Sequence, residues 1–283
     1  MSDFFQALAN PAIPFLRYAL ITGLLSSVAF GIVGSYVVVK RISYLAGGIA
    51  HSVLAGIGIS LFLQAKYAIS WLSPTFGAIA AAVAAALIIG LVNLYGNQRE
   101  DTAIGSIWAV GMAVGILFIA RTPGYVEPMS YLFGNILIVS RQELFIIAGL
   151  DAFIVAVGIL LYNQLLAVSF DEEYTLVRGV RAKLYSMILI LLTALTIVLL
   201  VMIVGIVMVI ALLTIPAAVS SLFTKRLSAT MIFAALFTMI FTFGGMVISY
   251  SADLPSGSTI IVFAGAVYLL LMALRRIFRQ KKK

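Results

Sequence analysis

Residues 169–183 read SFDEEYTLVRGVRAK, with Asp171, Glu172 and Glu173 in a row and Arg178, Arg181 and Lys183 close behind. On either side lie apolar runs, 144–168 and 184–222. Each is long enough to enter a bilayer, whose hydrocarbon takes about 20 residues of helix to cross. A segment so rich in charge cannot sit in hydrocarbon, so it lies in water or against a water-soluble partner while its flanks cross. That contrast sets the expected fold class: an all-α, polytopic transmembrane helical bundle forming one domain over residues 1–283.

Composition agrees. Of 283 residues, 63% are hydrophobic and 10% charged, and the mean hydropathy is +1.18. A soluble domain carries about 25% charged residues. Cysteine is absent, which removes disulfides and thiolate chemistry. The net charge of +8 fits the cytoplasmic bias of Lys and Arg in membrane proteins better than a nucleic-acid surface. No basic segment precedes the first apolar run, and Pro11 and Pro14 interrupt its start, so no cleavable signal peptide is read.

Residues 1–16 read as an interfacial lead-in. Apolar spans follow near 17–39, 44–63, 75–95, 103–120, 144–168, 184–203, 204–222, 229–249 and 258–275. The sixth and seventh share one run broken only near Val204 and Gly205, so eight is the alternative to nine. Nine spans put the termini on opposite sides. With the basic tail (276–283) inside, Arg17, Lys66, Arg121 and Arg141 lie outside, and the other fourteen of 18 cations are cytoplasmic. The N-terminus is then outside and the C-terminus cytoplasmic, in a cell (inner or plasma) membrane. The longest loop, 121–143, lies outside, and its apolar second half, 131–139, suggests a short helix dipping back at the outer face.

His51, the sole histidine, falls near mid-membrane in the second span, where an ionisable group marks a functional site by default. Neutral imidazole suits zinc, iron and manganese; a structural histidine bonded across helices is the competing reading. Gly48, Ser52, Gly56 and Ser60 recur every four residues, a stripe that admits a close helix neighbour. Asp151, in the fifth span, either flanks a hydrated path or sits at the interface because the helix starts later; the interface reading demands less. Glu100 and Asp101 complement a helix N-terminus. Asp253 opens an outer turn, DLPSG. Gly205 and Pro216 break the seventh span, as kinks or as the discontinuous helix of a transport site. There is no GxxxxGK[ST], so the chain binds no ATP through a P-loop, and no HExxH or GxSxG.

Several blocks carry a resemblance in their order and spacing: GSYVVVKRISYLAGGIAHSVLAGIGIS (34–60), EDTAIGSIWAVGMAVGILF (100–118), SYLFGNILIVS (130–140), SFDEEYTLVRGV (169–180), VGIVMVIALLTIPAAVSSLFTKRL (204–227) and SYSADLPSGSTIIV (249–262). The chain resembles the permease subunits of ABC-type zinc, manganese and iron importers, the ABC-3 family. The resemblance implies an importer of a divalent transition metal with two copies of this subunit forming the pathway. Each copy would dock on a cytoplasmic ATPase, and an extracytoplasmic binding protein would deliver metal. The chain itself would hold no cofactor and hydrolyse no ATP. Residues 169–180 fall where the family's coupling helices lie, with Phe170, Tyr174 and Leu176 as apolar anchors, Asp171, Glu172 and Arg178 at the rim, and Gly179 at the turn. His51 matches the histidine of the family's second-span motif and enters the metal path, with Asp151 and Asp253 as further candidates. Two positions depart from the pattern: Gly47 stands where many members have Asp, and Asn135 where the GD-I-L motif has Asp. An ABC permease for a non-metal cargo and an ion-coupled secondary carrier are the alternatives. A membrane-embedded enzyme lacks any nucleophile–base pair.

Overall fold

The computed structural model describes residues 2–10, 14–69, 71–95, 100–124, 127–134 and 140–280. The described chain is helical throughout: α1 (Ser2–Ala9), α2 (Pro14–Lys40), α3 (Ser43–Tyr67), α4 (Pro74–Tyr95), α5 (Glu100–Arg121), α6 (Pro128–Phe133), α7 (Arg141–Leu160), α8 (Tyr162–Phe170), α9 (Glu172–Val177), α10 (Ala182–Val204), α11 (Ile206–Ser221), α12 (Leu227–Ala252) and α13 (Ser256–Gln280). Hydrocarbon offers the backbone no partner, so these runs bond internally as helices. Their hydroxyls do the same: Ser27, Ser35, Thr193, Thr196 and Thr238 each donate to the carbonyl four residues back.

Among the described residues, eight helices are long and apolar enough to cross a membrane, where the sequence suggests nine. The difference is α11. At ~1.5 Å per residue it spans about 24 Å, short of ~30 Å of hydrocarbon. It still runs from one end of the bundle to the other. The turn into it, at Gly205 (φ 89°), lies against Leu132, Phe133 and Gly134 at the end of α6. Its far end, Ser221, lines a hollow with Val38 and Val39 of α2 and Phe170. A Cβ at Gly205 would overlap the α6 backbone, so glycine is needed there for space as well as for φ. Pro216, by contrast, breaks nothing: α11 runs through it.

Three further boundaries differ from expectation. The fifth span does not continue to residue 168; α7 stops at Leu160, and α8 begins separately after Leu161. Of the short helix expected over 131–139, residues 131–133 belong to α6, which begins at Pro128, and residues 135–139 lie outside the described residues. In α6, Tyr131 and Leu132 are partly buried against the core, whereas Met129 and Phe133 are exposed. The lead-in is the helix α1, and the first span starts at Pro14 rather than 17.

Helices α2, α3 and α10 form the enclosed centre; α5, α7 and α13 are the most exposed. Close approach explains the centre. A Cβ at Gly31 would strike α12, one at Gly34 would strike α11, and one at Gly58 would strike Gly115 of α5. Helix α1 and the last turn of α13 lie at opposite ends of the bundle. Phe4 of α1 packs edge-on against Phe243 and Tyr250 near the end of α12, while α13 returns from that end. Lys40, Arg41 and Lys183 share the other end with Glu172.

Candidate functional site

At the basic end, two short helices hang between α7 and α10. Asp171 separates them: its extended backbone (φ −152°) ends α8, and its carboxylate accepts from the Tyr174 N–H at 2.9 Å to cap α9. Thr175 is buried and donates to the Asp171 carbonyl at 2.6 Å. Gly179 (φ 76°) follows α9 and turns the chain toward α10; the break within the helix pair is at Asp171. Arg178 donates to the Tyr174 hydroxyl and lies 5.1 Å from its ring centroid.

Lys40, the last residue of α2, holds the pair in place. Its Nζ donates to the Val168 carbonyl (3.3 Å), the Glu172 carboxylate (3.1 Å) and the buried Ser186 hydroxyl (2.7 Å). One side chain thus joins α2, α8, α9 and α10. Around this anchor the apolar side chains face outward: Phe170 is 67% exposed, Tyr174 54%, Leu176 48% and Val177 86%. The three residues expected as anchors, Phe170, Tyr174 and Leu176, are thus all exposed on this short helix pair, and Val177 is the most exposed of the four. A single charged run gave no sign that Lys40, 132 residues before Glu172, would be the brace.

His51 lies buried on α3, stacked on Trp108 of α5 with centroids 4.2 Å apart and planes at 9°. Its Nδ1 has no hydrogen-bond partner among the described residues. Trp108 Nε1–H faces Met112 Sδ at 3.2 Å. A Cβ at Gly47, one turn before His51, would meet only ordinary contacts, Ile210 at 3.6 Å and Trp108 at 3.7 Å. Sequence reasoning missed Trp108; nothing in the local pattern ties residue 108 to residue 51.

The small-residue stripe divides between two neighbours. Gly48 and Ser52 pack against Ile104 and Gly111 of α5, and Gly56 and Ser60 against Gly77 of α4. Asp151 departs from the interface reading. Helix α7 starts at Arg141, so the carboxyl lies about 15 Å along it, buried at mid-helix near the Ala29 backbone, with Oδ1 unpartnered. It does not join His51: α7 packs chiefly on α2 and α10, and it is not among the helices packed against α3. Asp253 is exposed in the left-handed turn (φ 52°) after α12, at the end of the bundle opposite Lys40. Asn135 lies outside the described residues. Among the described residues, no three His, Cys, Asp or Glu side chains converge as a metal site.

The sequence pattern of the ABC 3 transport family matches residues 12–275. A Chlamydia trachomatis protein named "Probable metal transport system membrane protein" is 38% identical over 264 residues, covering 93% of this chain and 90% of that protein. The manganese transport system membrane protein MntC of Halalkalibacterium halodurans is 32% identical over 257 residues, covering 90% of this chain and 86% of its own. Among solved structures, PsaBC from Streptococcus pneumoniae in complex with Fab superposes with a TM-score of 0.84 at 30% identity, covering 95% of this chain and 94% of that chain.

Proposed function

The chain belongs to the ABC 3 transport family, and on that premise we propose that it is the membrane-spanning permease of an importer for a divalent transition metal. Manganese has the most direct support from the named relatives. Two copies form the pathway, each docked on a separate ATPase, and a binding protein delivers the ion to the outer face. The basic end is cytoplasmic, as the Lys and Arg bias demands. The C-terminus is then inside and the N-terminus outside.

One observation carries the docking role: four exposed apolar side chains sit on short helices braced to the bundle core through Lys40. An exposed apolar cluster with a charged rim is the pattern of an interface centre. The brace gives such a surface its mechanical use. Displacement of α8 and α9 by a nucleotide-driven partner is passed to α2 and α10, which lie in the enclosed centre, so the helices move as rigid elements and not by local unfolding.

In the pathway, His51 offers one imidazole per copy, and the pair supplies two nitrogen ligands to a borderline cation. Trp108 sits against one face of each ring. Asp253 stands at the outer mouth, where a carboxylate attracts cations. Asp151 serves the path only from a separate interface, between α7 and α2.

A second reading keeps the ABC architecture and changes the cargo. It is favoured by the absence of a three-ligand cluster among the described residues and by glycine at 47. Metal counting on the purified chain decides between the two. Retained manganese or zinc that is lost in His51→Ala supports the metal importer, and none in either protein supports the other cargo. The docking role is tested by Phe170→Ala with Tyr174→Ala, which should abolish co-purification of the ATPase while the chain still inserts.

A further inference from the structure

A cavity of about 470 Å³ opens at the basic end of the bundle, where α2 and α4 stop and α3 and α10 begin. Its wall is charged. Lys40, Arg41 and Lys183 line it against a single carboxylate, Glu172, so positive charge is in excess there. Glu172 is itself held by Lys40 at 3.1 Å. The Lys40 ammonium spends its three N–H groups on Val168, Glu172 and Ser186. A ligand is therefore met by the other polar side chains of the wall, Arg41, Lys183 and Asn93. At this level the N-termini of α3 and α10 balance the C-termini of α2 and α4, so the helix dipoles do not oppose an anion.

Arg41 is the informative residue. It holds a left-handed conformation (φ 60°) just past the end of α2. The N–H groups of Ile42 and Arg41 donate to the Val37 and Val38 carbonyls at 3.1 and 3.3 Å, closing the helix in the pattern whose left-handed residue is usually glycine. A side chain is strained in that conformation, and strain persists where the surroundings or a function require it. Arg41 makes no ion pair among the described residues. The bias of Lys and Arg toward one side of a membrane is met by any exposed cation. It explains neither an arginine where glycine fits better nor three cations around one cavity.

Depth and chemistry name the ligand. The ends of spanning helices mark the edge of the hydrocarbon, where lipid phosphates lie. A guanidinium pairs with phosphate oxygens through two parallel N–H···O bonds, and basic pockets between spanning helices suit anionic head groups. We propose that this cavity binds a phosphate group through Arg41 and Lys183, with Asn93 beside them. An anionic lipid of the adjacent leaflet or a free phosphate supplies the group. Once bound, it ties the end of α2 to α4 and to the start of α10, so occupancy stabilises the bundle. The cavity takes no part in the metal path.

The test is the thermal midpoint of the purified full-length chain in uncharged detergent, at an ionic strength fixed with sodium chloride. Separate arms add inorganic phosphate, dihexanoyl-phosphatidylglycerol and dihexanoyl-phosphatidylcholine. The expected result is a saturable rise with phosphatidylglycerol and none with phosphatidylcholine. The same rise with inorganic phosphate makes free phosphate a sufficient source. No rise with it assigns the site to lipid, and a rise with it alone assigns the site to a free anion. Arg41→Gly should fold, because the backbone there favours glycine, and should weaken the apparent Kd by about tenfold or more. Lys183→Gln should weaken it likewise with the backbone unchanged. No rise with any anion, an equal rise with both lipids, or an unchanged Kd in both variants overturns the proposal. So does loss of ATPase co-purification in Arg41→Gly with the anion response intact, which would assign the guanidinium to the partner protein.

Discussion

Lys40→Met separates the brace from its salt bridge. The substitution keeps the unbranched stem and deletes the ammonium. The ion pair with Glu172 is partly solvated, with side chains 17% and 35% exposed, so it contributes about 1 kcal/mol or less. The other two bonds weigh more. Val168 and Ser186 are buried, and leaving a buried acceptor without its donor costs about 1–3 kcal/mol. Lys40→Met should therefore loosen α8 and α9 by about 2–4 kcal/mol, whereas Glu172→Gln should cost under about 1 kcal/mol. Amide hydrogen exchange across residues 162–181 reads that difference locally, and co-purification of the ATPase reads its consequence. In Lys40→Met, exchange over α8 and α9 should accelerate on the order of 30-fold or more while α3 and α5 remain protected. If Glu172→Gln accelerates exchange as much as Lys40→Met does, the salt bridge and not the buried bonds holds the segment, and the reasoning fails.

Other substitutions probe the pathway and the packing. Gly47→Asp should fold, because its Cβ meets only ordinary contacts, and it should raise the metal retained per purified chain by placing a carboxylate one turn from His51. His51→Ala should abolish metal uptake without impairing insertion; normal uptake would refute its assignment. Gly56→Leu drives a side chain into the Gly77 backbone and should destabilise the α3–α4 packing by about 1–3 kcal/mol or more, visible as a lower thermal midpoint. Trp108→Phe keeps a ring over His51 and should transport better than Trp108→Leu; equal rates would mean that the stack has no part in transport.

Much of the fold is legible in the sequence because hydrocarbon imposes a length rule and a charge rule. The apolar runs locate every long helix, and the segregation of Arg17, Lys66, Arg121 and Arg141 from the other cations separates the two ends. What escapes that reading is a boundary inside an apolar run. The break at Leu161 carries no proline, and only Asn163 and Gln164, inside a run otherwise apolar, mark it in the sequence. At Gly205 the sequence does announce a break, but not that α6 fills it; that contact joins residues about 70 positions apart. Pro216 ends no helix, since α11 runs through it. For the site, the anchors Phe170, Tyr174 and Leu176 are visible because apolar residues inside a charged segment need a reason to be there. Asp151 is misjudged because the helix start was uncertain by about one turn, enough to move a carboxyl from the interface toward mid-membrane. Trp108 and Lys40 are invisible because their partners are set only by tertiary packing.

The most direct test of the account is ATP-driven uptake in proteoliposomes containing this chain and its ATPase. The account predicts manganese accumulation that requires ATP, stops with Phe170→Ala plus Tyr174→Ala, and stops with His51→Ala. Accumulation that persists without the ATPase and follows an imposed ion gradient would contradict it.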